Sequence, residues 1–192
     1  MKQLVILVGV SLLICGTALG QPDPGDVGVF SDPAGTQTWA AYPPVTPYYI
    51  YLVAFDMLPD VWGFEASIPN PDPATILILS EIIPAGWPDL DPNQLSWLVP
   101  PVFPYPGAGP FVLAEIFLLD VGFHQDLLFC VAPAVLTGGF GYYDASLTLQ
   151  PFGLAEFGAP DYPNGCWVGN PTAPPPIDSE QTSWGALKTL YD

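Results

Sequence analysis

The sequence feature that most limits the possible folds is a run of ten residues, Phe111–Asp120, which reads Phe-Val-Leu-Ala-Glu-Ile-Phe-Leu-Leu-Asp. Most of its residues are branched or aromatic, none is glycine or proline, and Pro110 and Gly122 bound it. This pattern is typical of a β-strand that is buried on both faces. We therefore expect Phe111–Asp120 to lie near the middle of a sheet.

Shorter apolar runs, separated by proline, glycine, aspartate and asparagine, predict further strands along the chain. These strands are expected at residues 27–30, 48–55, 61–68, 94–99, 126–131 and 143–149, and residues 74–83 form another apolar run. Strand 36–41 would return as the hairpin partner of strand 27–30, and 166–168 would close a sheet edge. Eight or nine such strands predict an all-β fold, a single antiparallel β-sandwich of immunoglobulin-like or jelly-roll topology.

The first 20 residues have the pattern of a secretory signal peptide. Lys2 precedes an apolar segment, and Ala18 and Gly20 form a small-x-small cleavage site. The apolar segment is shorter than the roughly 20 residues that span a bilayer, and no later segment is long and apolar enough. A lipid anchor on Cys15 is the alternative, although bulky Ile14 does not suit lipoprotein processing.

Removal of the signal peptide leaves enough chain for one domain of ordinary size. We expect residues 21–170 to form the domain, 171–183 a proline-rich linker and 184–192 a short C-terminal tail. A secreted location follows, either extracellular, at the cell surface or in the periplasm.

The charge balance limits the partners. The chain has a formal net charge of −17 and only two basic residues, of which Lys188 alone would remain after cleavage. Nucleic acids, anionic membranes and phosphorylated substrates are excluded, because each requires Lys or Arg for binding. With 50% hydrophobic residues the chain is not a disordered acidic tail. Proteins, polysaccharides or further copies of the chain remain as partners.

Two cysteines, Cys130 and Cys166, would remain in the mature protein. An even pair in a secreted domain predicts one disulfide, and two buried free thiols are the alternative. The disulfide would attach the last strand to the sheet.

Three features occur in the order found in known secreted domains: a Gly63-Phe64-Glu65 strand, the long strand Phe111–Asp120 after a proline-rich loop, and a closing Cys166-Trp167 strand. Over residues 26–170 this order resembles secreted bacterial β-sandwiches, namely cohesin-like and carbohydrate-binding-module-like domains. The resemblance implies adhesion, scaffolding or glycan binding.

Few residues could support catalysis. His124 is the only histidine, which excludes histidine-based triads and metal sites and suits an ordinary loop residue. A glycosidase would need only two carboxylates, and Glu65 and Glu115 both lie on predicted strands. The alternation of strand 61–68, however, places Glu65 toward water as an ordinary polar residue. We expect no enzymatic activity.

A metal site is conceivable in the turn Asp89-Leu90-Asp91-Pro92-Asn93, where Asp89, Asp91 and Asn93 offer alternating oxygen ligands for calcium. Gln94 and Pro100 replace the glycine and glutamate that an EF-hand requires. Other candidates are the loop aspartates, Asp23, Asp26, Asp32 and Asp72. Ordinary solvated turn aspartates are the alternative interpretation, and no cofactor is required.

Aromatic residues suggest a glycan site, because their faces stack on sugar rings while Asp and Asn bind hydroxyl groups. The candidates are Trp39, Tyr42, Trp87, Trp97, Tyr105 and Trp167, whereas Trp62 and Tyr49 are expected in the core. The alternative is that these aromatics only cover proline-rich loops and strand ends.

Together these features predict a secreted, non-enzymatic interaction module that acts in adhesion or scaffolding. The alternatives are a carbohydrate-binding module, a structural surface subunit that self-assembles through its sheet edges or N-terminal segment, and, more distantly, a glycoside hydrolase.

Overall fold

The structure is a computed structural model, and it describes residues 25–55, 57, 61–101, 104–105, 110–156 and 163–172. The predicted signal peptide, Asp23, residues 173–183 of the predicted linker and the C-terminal tail with Lys188 lie outside the described residues. Within these ranges the fold is all-β and contains no helix. Membrane-spanning helices are accordingly not found in this part of the chain.

Twelve strands occur in the described ranges. They are β1 (Asp26–Phe30), β2 (Trp39–Ala40), β3 (Tyr48–Ala54), β4 (Gly63–Ser67), β5 (Ile76–Ile82), β6 (Ser96–Val99), β7 (Phe111–Asp120), β8 (Leu127–Cys130), β9 (Gly141–Tyr143), β10 (Leu149–Pro151), β11 (Gly153–Leu154) and β12 (Cys166–Gly169).

The strands form three sheets. The first has the order β11-β1-β3-β7-β5, the second β10-β9-β4-β6 and the third β2-β12-β8. Most neighbouring strands are antiparallel, as expected, but β1 pairs with β11 and β2 with β12 in parallel. Parallel pairs join segments that are distant in the chain and need no tight turn, so the sequence pattern does not reveal them.

The long strand β7 has the predicted bounds, but its predicted environment is wrong. It lies between β3 and the edge strand β5, and its burial alternates along the strand. Leu113, Ile116 and Leu118 are fully buried, whereas Glu115 and Phe117 are only partly buried on the other side. One face of β7 therefore belongs to the core, and the other forms part of the surface.

Strand β4 was expected to have one face toward water, but all five of its residues are buried. Glu65, expected to face water, is 4% exposed. The face that carries Glu65 and Ser67 is covered by residues 132–139, which we call the covering segment. Ser67 pairs with Ala132 as an isolated β-bridge, and its hydroxyl donates to the Pro133 carbonyl at 2.6 Å.

Three further predictions are wrong in detail. Of strand 36–41 only β2 forms, and it pairs with β12 rather than with β1. Segment 143–149 is a hairpin, because the Asp144 carboxylate accepts hydrogen bonds from the Ser146 and Thr148 amides and reverses the chain between β9 and β10. Strand β12 is the centre of its sheet and not an edge.

The three sheets contribute to one large hydrophobic cluster, with Leu113 from β7, Phe64 from β4 and Trp167 from β12 among its members. The predicted disulfide is confirmed: Cys130 and Cys166 are bonded, and they lie directly opposite each other on β8 and β12. In the disputed chain-entropy model a loop of this length contributes about 3–4 kcal/mol.

Candidate functional site

The outward side of the five-stranded sheet carries an unusual set of side chains. Residues directly opposite each other on paired strands have their side chains on the same face. The register places Tyr49 and Ser80 on either side of Phe117, and Tyr51 and Ile82 on either side of Glu115. We call the sheet face the outward residues of β3, β7 and β5, which are Tyr49, Tyr51, Leu77, Ser80, Ile82, Glu115, Phe117 and Leu119.

Three aromatic rings form the centre of the sheet face. The rings of Tyr49 and Phe117 stack with centroids 4.5 Å apart, and Tyr49 stacks on Tyr51 at 6.2 Å. Tyr49 is nevertheless 43% exposed, and Ile82 is 55% exposed. The β-strands hold these rings in fixed positions while leaving them in contact with solvent.

The charge of the sheet face is negative. Glu115 lies between Tyr51 and Ile82, and it is the face's only ionisable carboxylate. Partial burial and then the nearby charge of Glu115 raise the pKa of Tyr51, so this phenol stays neutral and able to donate. A ligand that covers the face must therefore accommodate one carboxylate among apolar groups.

Sequence reasoning missed these aromatics, and the expectation that Tyr49 is a core residue is wrong. A usable pattern was present, because Tyr49 and Tyr51 are two residues apart and so share one face of an extended strand. Trp62, the other residue expected in the core, is partly buried.

Three of the six aromatics that were predicted to bind glycans are buried. Trp97 is 1% exposed, Trp167 is fully buried and Trp87 is also buried, so these three offer no free ring face. Tyr105 packs edge-on against Trp87 and Phe111.

The remaining two glycan candidates are partly buried and lie on neighbouring segments. Trp39 is on β2. Tyr42 stacks on Tyr48 at 3.7 Å, next to Trp167. The six predicted residues therefore do not form one exposed platform.

The two glutamates that could have served a glycosidase lie on different sheets. Glu65 on β4 accepts hydrogen bonds from the Tyr143 hydroxyl and the Thr137 hydroxyl of the covering segment. Burial, together with the hydrogen bond to Glu65, raises the pKa of Tyr143 to about 12. Glu115 lies on the sheet face, on β7. The structure does not bring the two carboxylates together as a pair.

The turn proposed for calcium is held by its own hydrogen bonds. Asp89 accepts from the amides of Asp91 and Leu98, both at 3.0 Å. Asp91 accepts from the Asn93 amide at 3.0 Å and from the Ser96 hydroxyl at 2.6 Å. Burial alone would raise the pKa of Asp91, but these hydrogen bonds outweigh it and lower the pKa.

Two of the loop aspartates also accept hydrogen bonds within their own turns. Asp32 accepts from the amides of Ala34 and Gln37. Asp72 accepts from the Ala74 amide and the Thr75 hydroxyl. Across the described ranges no group of three His, Cys, Asp or Glu side chains is arranged to hold a metal ion. Calcium binding at Asp89, Asp91 and Asn93 stays a prediction.

His124, expected in a loop, lies between two carboxylates after the end of β7. Its Nδ1 is 2.9 Å from Asp120 and its Nε2 is 3.2 Å from Asp72. The hydrogen bond to Asp120 is the main cause that raises the pKa of His124, and Asp72 adds to it. The ring thus connects the β7–β8 loop to the loop before β5.

Comparison with known proteins found no family model, curated protein or solved structure that matches the chain.

Proposed function

We propose that this protein is a secreted, non-enzymatic interaction module, a β-sandwich that binds another protein through its sheet face. The observation that carries the proposal is the stack of Tyr49 on Phe117. Tyr49 is 43% exposed and Phe117 is partly exposed, although both lie on the two longest-paired strands of the main sheet. Large exposed apolar patches on folded domains usually mark sites of interaction.

Sandwich architecture and secretion are supported by separate observations. Residues of all three sheets meet in one hydrophobic cluster, as they would between packed sheets. The Cys130–Cys166 disulfide suits an oxidising compartment, which agrees with the secretory pattern of residues 1–20.

A protein partner suits the sheet face because aromatic residues are enriched in the cores of protein interfaces. Rings that are already fixed by a sheet lose little conformational freedom on binding. Glu115 would lose its water when the face is covered, and a desolvated carboxylate requires a cation beside it. We therefore expect the partner to present an apolar surface that contains an arginine or lysine.

A second copy of the chain fits less well. Each copy carries a formal net charge of −17, and pairing of two sheet faces would bring Glu115 near its counterpart with no Lys or Arg among the described residues to neutralise either. Like charges at an interface weaken binding by several kcal/mol. Self-assembly remains an outcome that the test distinguishes.

The non-enzymatic part of the proposal is supported by the separation of the candidate catalytic groups. Glu65 is buried under the covering segment and bonded to Tyr143, whereas Glu115 lies on another sheet. Neither is placed beside the other for acid–base work on one bond.

The test is photocrosslinking of the mature protein with a photoreactive residue in place of Ser80. Ser80 lies beside Phe117 but is not one of the stacked rings. Proteins secreted by the producing cell are the probe. We expect one crosslinked protein whose yield falls with Phe117→Ser, with Glu115→Lys and with added salt.

The matched control is Leu136→Ser, which removes an exposed apolar side chain from the covering segment over the second sheet and should leave the yield unchanged. Equal yields from all variants would contradict the proposal. A crosslinked dimer of the chain itself would support the self-assembling subunit instead, and retention of the protein on insoluble polysaccharide, lost with Phe117→Ser, would make the sheet face a glycan site.

A further inference from the structure

Strand β5 is an edge strand of the five-stranded sheet. It pairs with β7 on one side, and no other strand of the described ranges pairs with its second side. Its sequence is Ile-Leu-Ile-Leu-Ser-Glu-Ile, without proline, lysine or arginine, and Leu77, Leu79 and Ile82 are 44, 46 and 55% exposed. An exposed apolar edge of this kind is a template on which another strand can pair.

The register shows which backbone groups of β5 point away from β7. The Val121 amide donates to the Thr75 carbonyl at 2.9 Å, so the next residue, Ile76, makes no backbone hydrogen bond to β7. Ile76 instead donates its amide to the Asp72 carbonyl at 2.8 Å. Because backbone groups alternate in direction along an edge strand, the amide and carbonyl of Ile78 also point away from β7.

Glu81 presents its backbone in the same direction beyond a bulge in β5. Leu118 and Ile116, two residues apart on β7, lie opposite Ile78 and Glu81 respectively. Both direct their backbone groups toward β3, so Glu81, like Ile78, has its amide and carbonyl pointing outward. Within the described ranges no backbone hydrogen bond from another segment reaches these two residues.

Other parts of the sheet edges are closed by nearby segments. On the edge strand β6, Leu98 donates its amide to the Asp89 carboxylate at 3.0 Å and accepts from the Leu90 amide at 2.9 Å. At the beginning of β5, the Asn70 side chain donates to the carbonyl of the first residue at 2.9 Å. The remainder of β5, residues 77–82, is not closed in this way, and we call it the open edge.

We propose that an extended segment of the partner protein adds to the open edge as a sixth strand of this sheet. The inference rests on the proposed function, because it names the part of the partner that binds there. An extended backbone offers the amides and carbonyls that Ile78 and Glu81 require. Every second side chain of the added strand would lie beside Leu77, Ser80 and Ile82, which extends the sheet face by one strand.

The charge of the sheet face selects a basic segment. Ile82 lies opposite Glu115, so an added strand would be two strand spacings, about 10 Å, from Glu115. A lysine or arginine can lay its apolar stem over Ile82 and place its charge at the carboxylate. An acidic residue there would be repelled by Glu115 and by the formal net charge of −17. The partner segment is therefore an apolar strand that carries a lysine or arginine.

A second copy of β5 fits the open edge poorly. The register of β5 is interrupted by a bulge at Leu79, and the Glu81 side chain points inward, where it accepts from the Leu95 amide at 2.9 Å. Bulges and inward-pointing charged residues are devices that prevent identical edges from pairing. A second β5 would carry the same bulge and no basic residue to place beside Glu115.

The test is photocrosslinking with the photoreactive residue in place of Ser80, and the proteins secreted by the producing cell are the probe. Ile78→Pro removes the outward amide and leaves the hydrogen bonds to β7, since edge strands tolerate proline. We expect the crosslinking yield to fall about tenfold. Ile78→Val keeps the amide and is the matched control, whose yield should be unchanged. Urea denaturation verifies that both variants are folded.

Hydrogen exchange of the unmutated protein measures strand addition without any variant. In the complex with the captured protein, the amides of Ile78 and Glu81 should exchange about tenfold more slowly than in the free protein. The amide of Leu128 on β8, an edge strand of the third sheet, is the control and should keep its rate. Mass spectrometry of the crosslinked product should identify an apolar segment that contains a lysine or arginine.

Strand addition is overturned if Ile78→Pro retains the yield of Ile78→Val, if Ile78 and Glu81 keep their exchange rates in the complex, or if the product is a dimer of the chain. If Ile78→Pro does not fold, the exchange rates decide. A yield that falls with Phe117→Ser but not with Ile78→Pro would leave the proposed function intact and reject the added strand. The reverse pattern would support the added strand and reject the aromatic stack as the anchor, and the absence of any crosslinked protein would reject both proposals.

Discussion

Strands β4 and β7 each carry one glutamate among apolar residues, and the two glutamates lie in opposite environments. Glu65 of β4 is buried, and the covering segment supplies the Thr137 hydroxyl that binds it. Glu115 of β7 remains partly exposed between Tyr51 and Ile82. The strand with the alternating pattern is thus buried on both faces, and the strand with the continuous apolar pattern is buried on one.

This comparison shows that the outer side of a sheet is buried only if another segment covers it. Strand β4 is covered because Ala132 pairs with Ser67 and Val135 donates its amide to Ser96 on the neighbouring β6. The outward residues of β7 are partly exposed in the part of the chain that the structure describes. An apolar surface left in this state is available for a partner.

The largest expected difference between the two strands concerns their phenylalanines. Phe64 of β4 is fully buried in the core, so Phe64→Ala should lower the free energy of unfolding by about 3–5 kcal/mol. Phe117 of β7 loses mainly its stack on Tyr49, so Phe117→Ala should cost only about 1 kcal/mol. Urea denaturation of both variants measures the two values, and equal losses would show that the sheet face is also part of a core.

A second difference concerns the glutamates. Glu65→Ala would remove a buried side chain that accepts hydrogen bonds from two hydroxyls, that of partly buried Tyr143 and that of exposed Thr137, and we expect a loss of about 2–3 kcal/mol. Glu115→Ala on the sheet face should change stability by less than about 0.5 kcal/mol. The same denaturation measurement applies, and a Glu115→Ala loss as large as that of Glu65→Ala would contradict the surface position of Glu115.

A third, smaller effect tests the fit of the covering segment on β4. A methyl group added at Gly139 would collide with the Glu65 carboxylate, so Gly139→Ala should cost about 1–3 kcal/mol. The cost should fall in a Glu65→Ala background, where the collision is gone. At the control position Gly138 a methyl group meets nothing within 4 Å, but φ is +72°, so Gly138→Ala should cost about 1 kcal/mol in either background.

The smallest effect is a pH dependence at the end of β7. The folded-state pKa of His124 is raised by Asp120 and Asp72, so its contribution to stability is complete below the unfolded pKa of about 6.5 and is lost as pH rises through the folded pKa. Denaturation midpoints should therefore fall slightly as the pH rises above about 6.5.

The control for this dependence is His124→Gln, which should flatten the profile because the chain has one histidine. An unchanged profile in the variant would assign the pH dependence to another group. Tyr143, whose pKa is raised to about 12, contributes no dependence in this pH range.

Features that depend on local sequence were predictable. The bounds of β7 matched because Pro110 and Gly122 delimit an uninterrupted apolar run. The disulfide between Cys130 and Cys166 followed from the even number of cysteines after the secretory pattern. The hairpin at 141–151 was missed because the alternating residues around Asp144 also fit one continuous strand.

The candidate sites were largely beyond sequence reasoning. Of the six aromatics proposed for glycans, only Tyr42 lines a cavity, which lies at the start of β3 and the end of β7, and Trp97 and Trp167 are needed by the core. A tryptophan in a strand has the same local pattern whether it faces a ligand or another sheet. The sheet face was missed for the same reason, since Tyr49 was expected in the core.

The amino-acid sequence by itself determined the all-β class, the positions of most strands and the cysteine pair, because proline, glycine and β-branched residues act on the backbone within a few positions. The tertiary structure alone decided which strand faces became surface, since the covering segment and β4 are about 70 residues apart in the chain. The tertiary structure also created the cavity at the start of β3 and the end of β7, where Tyr42, Asp120 and Asn170 meet from three distant segments. Contacts between distant residues depend on how the whole chain packs, and no local pattern encodes them.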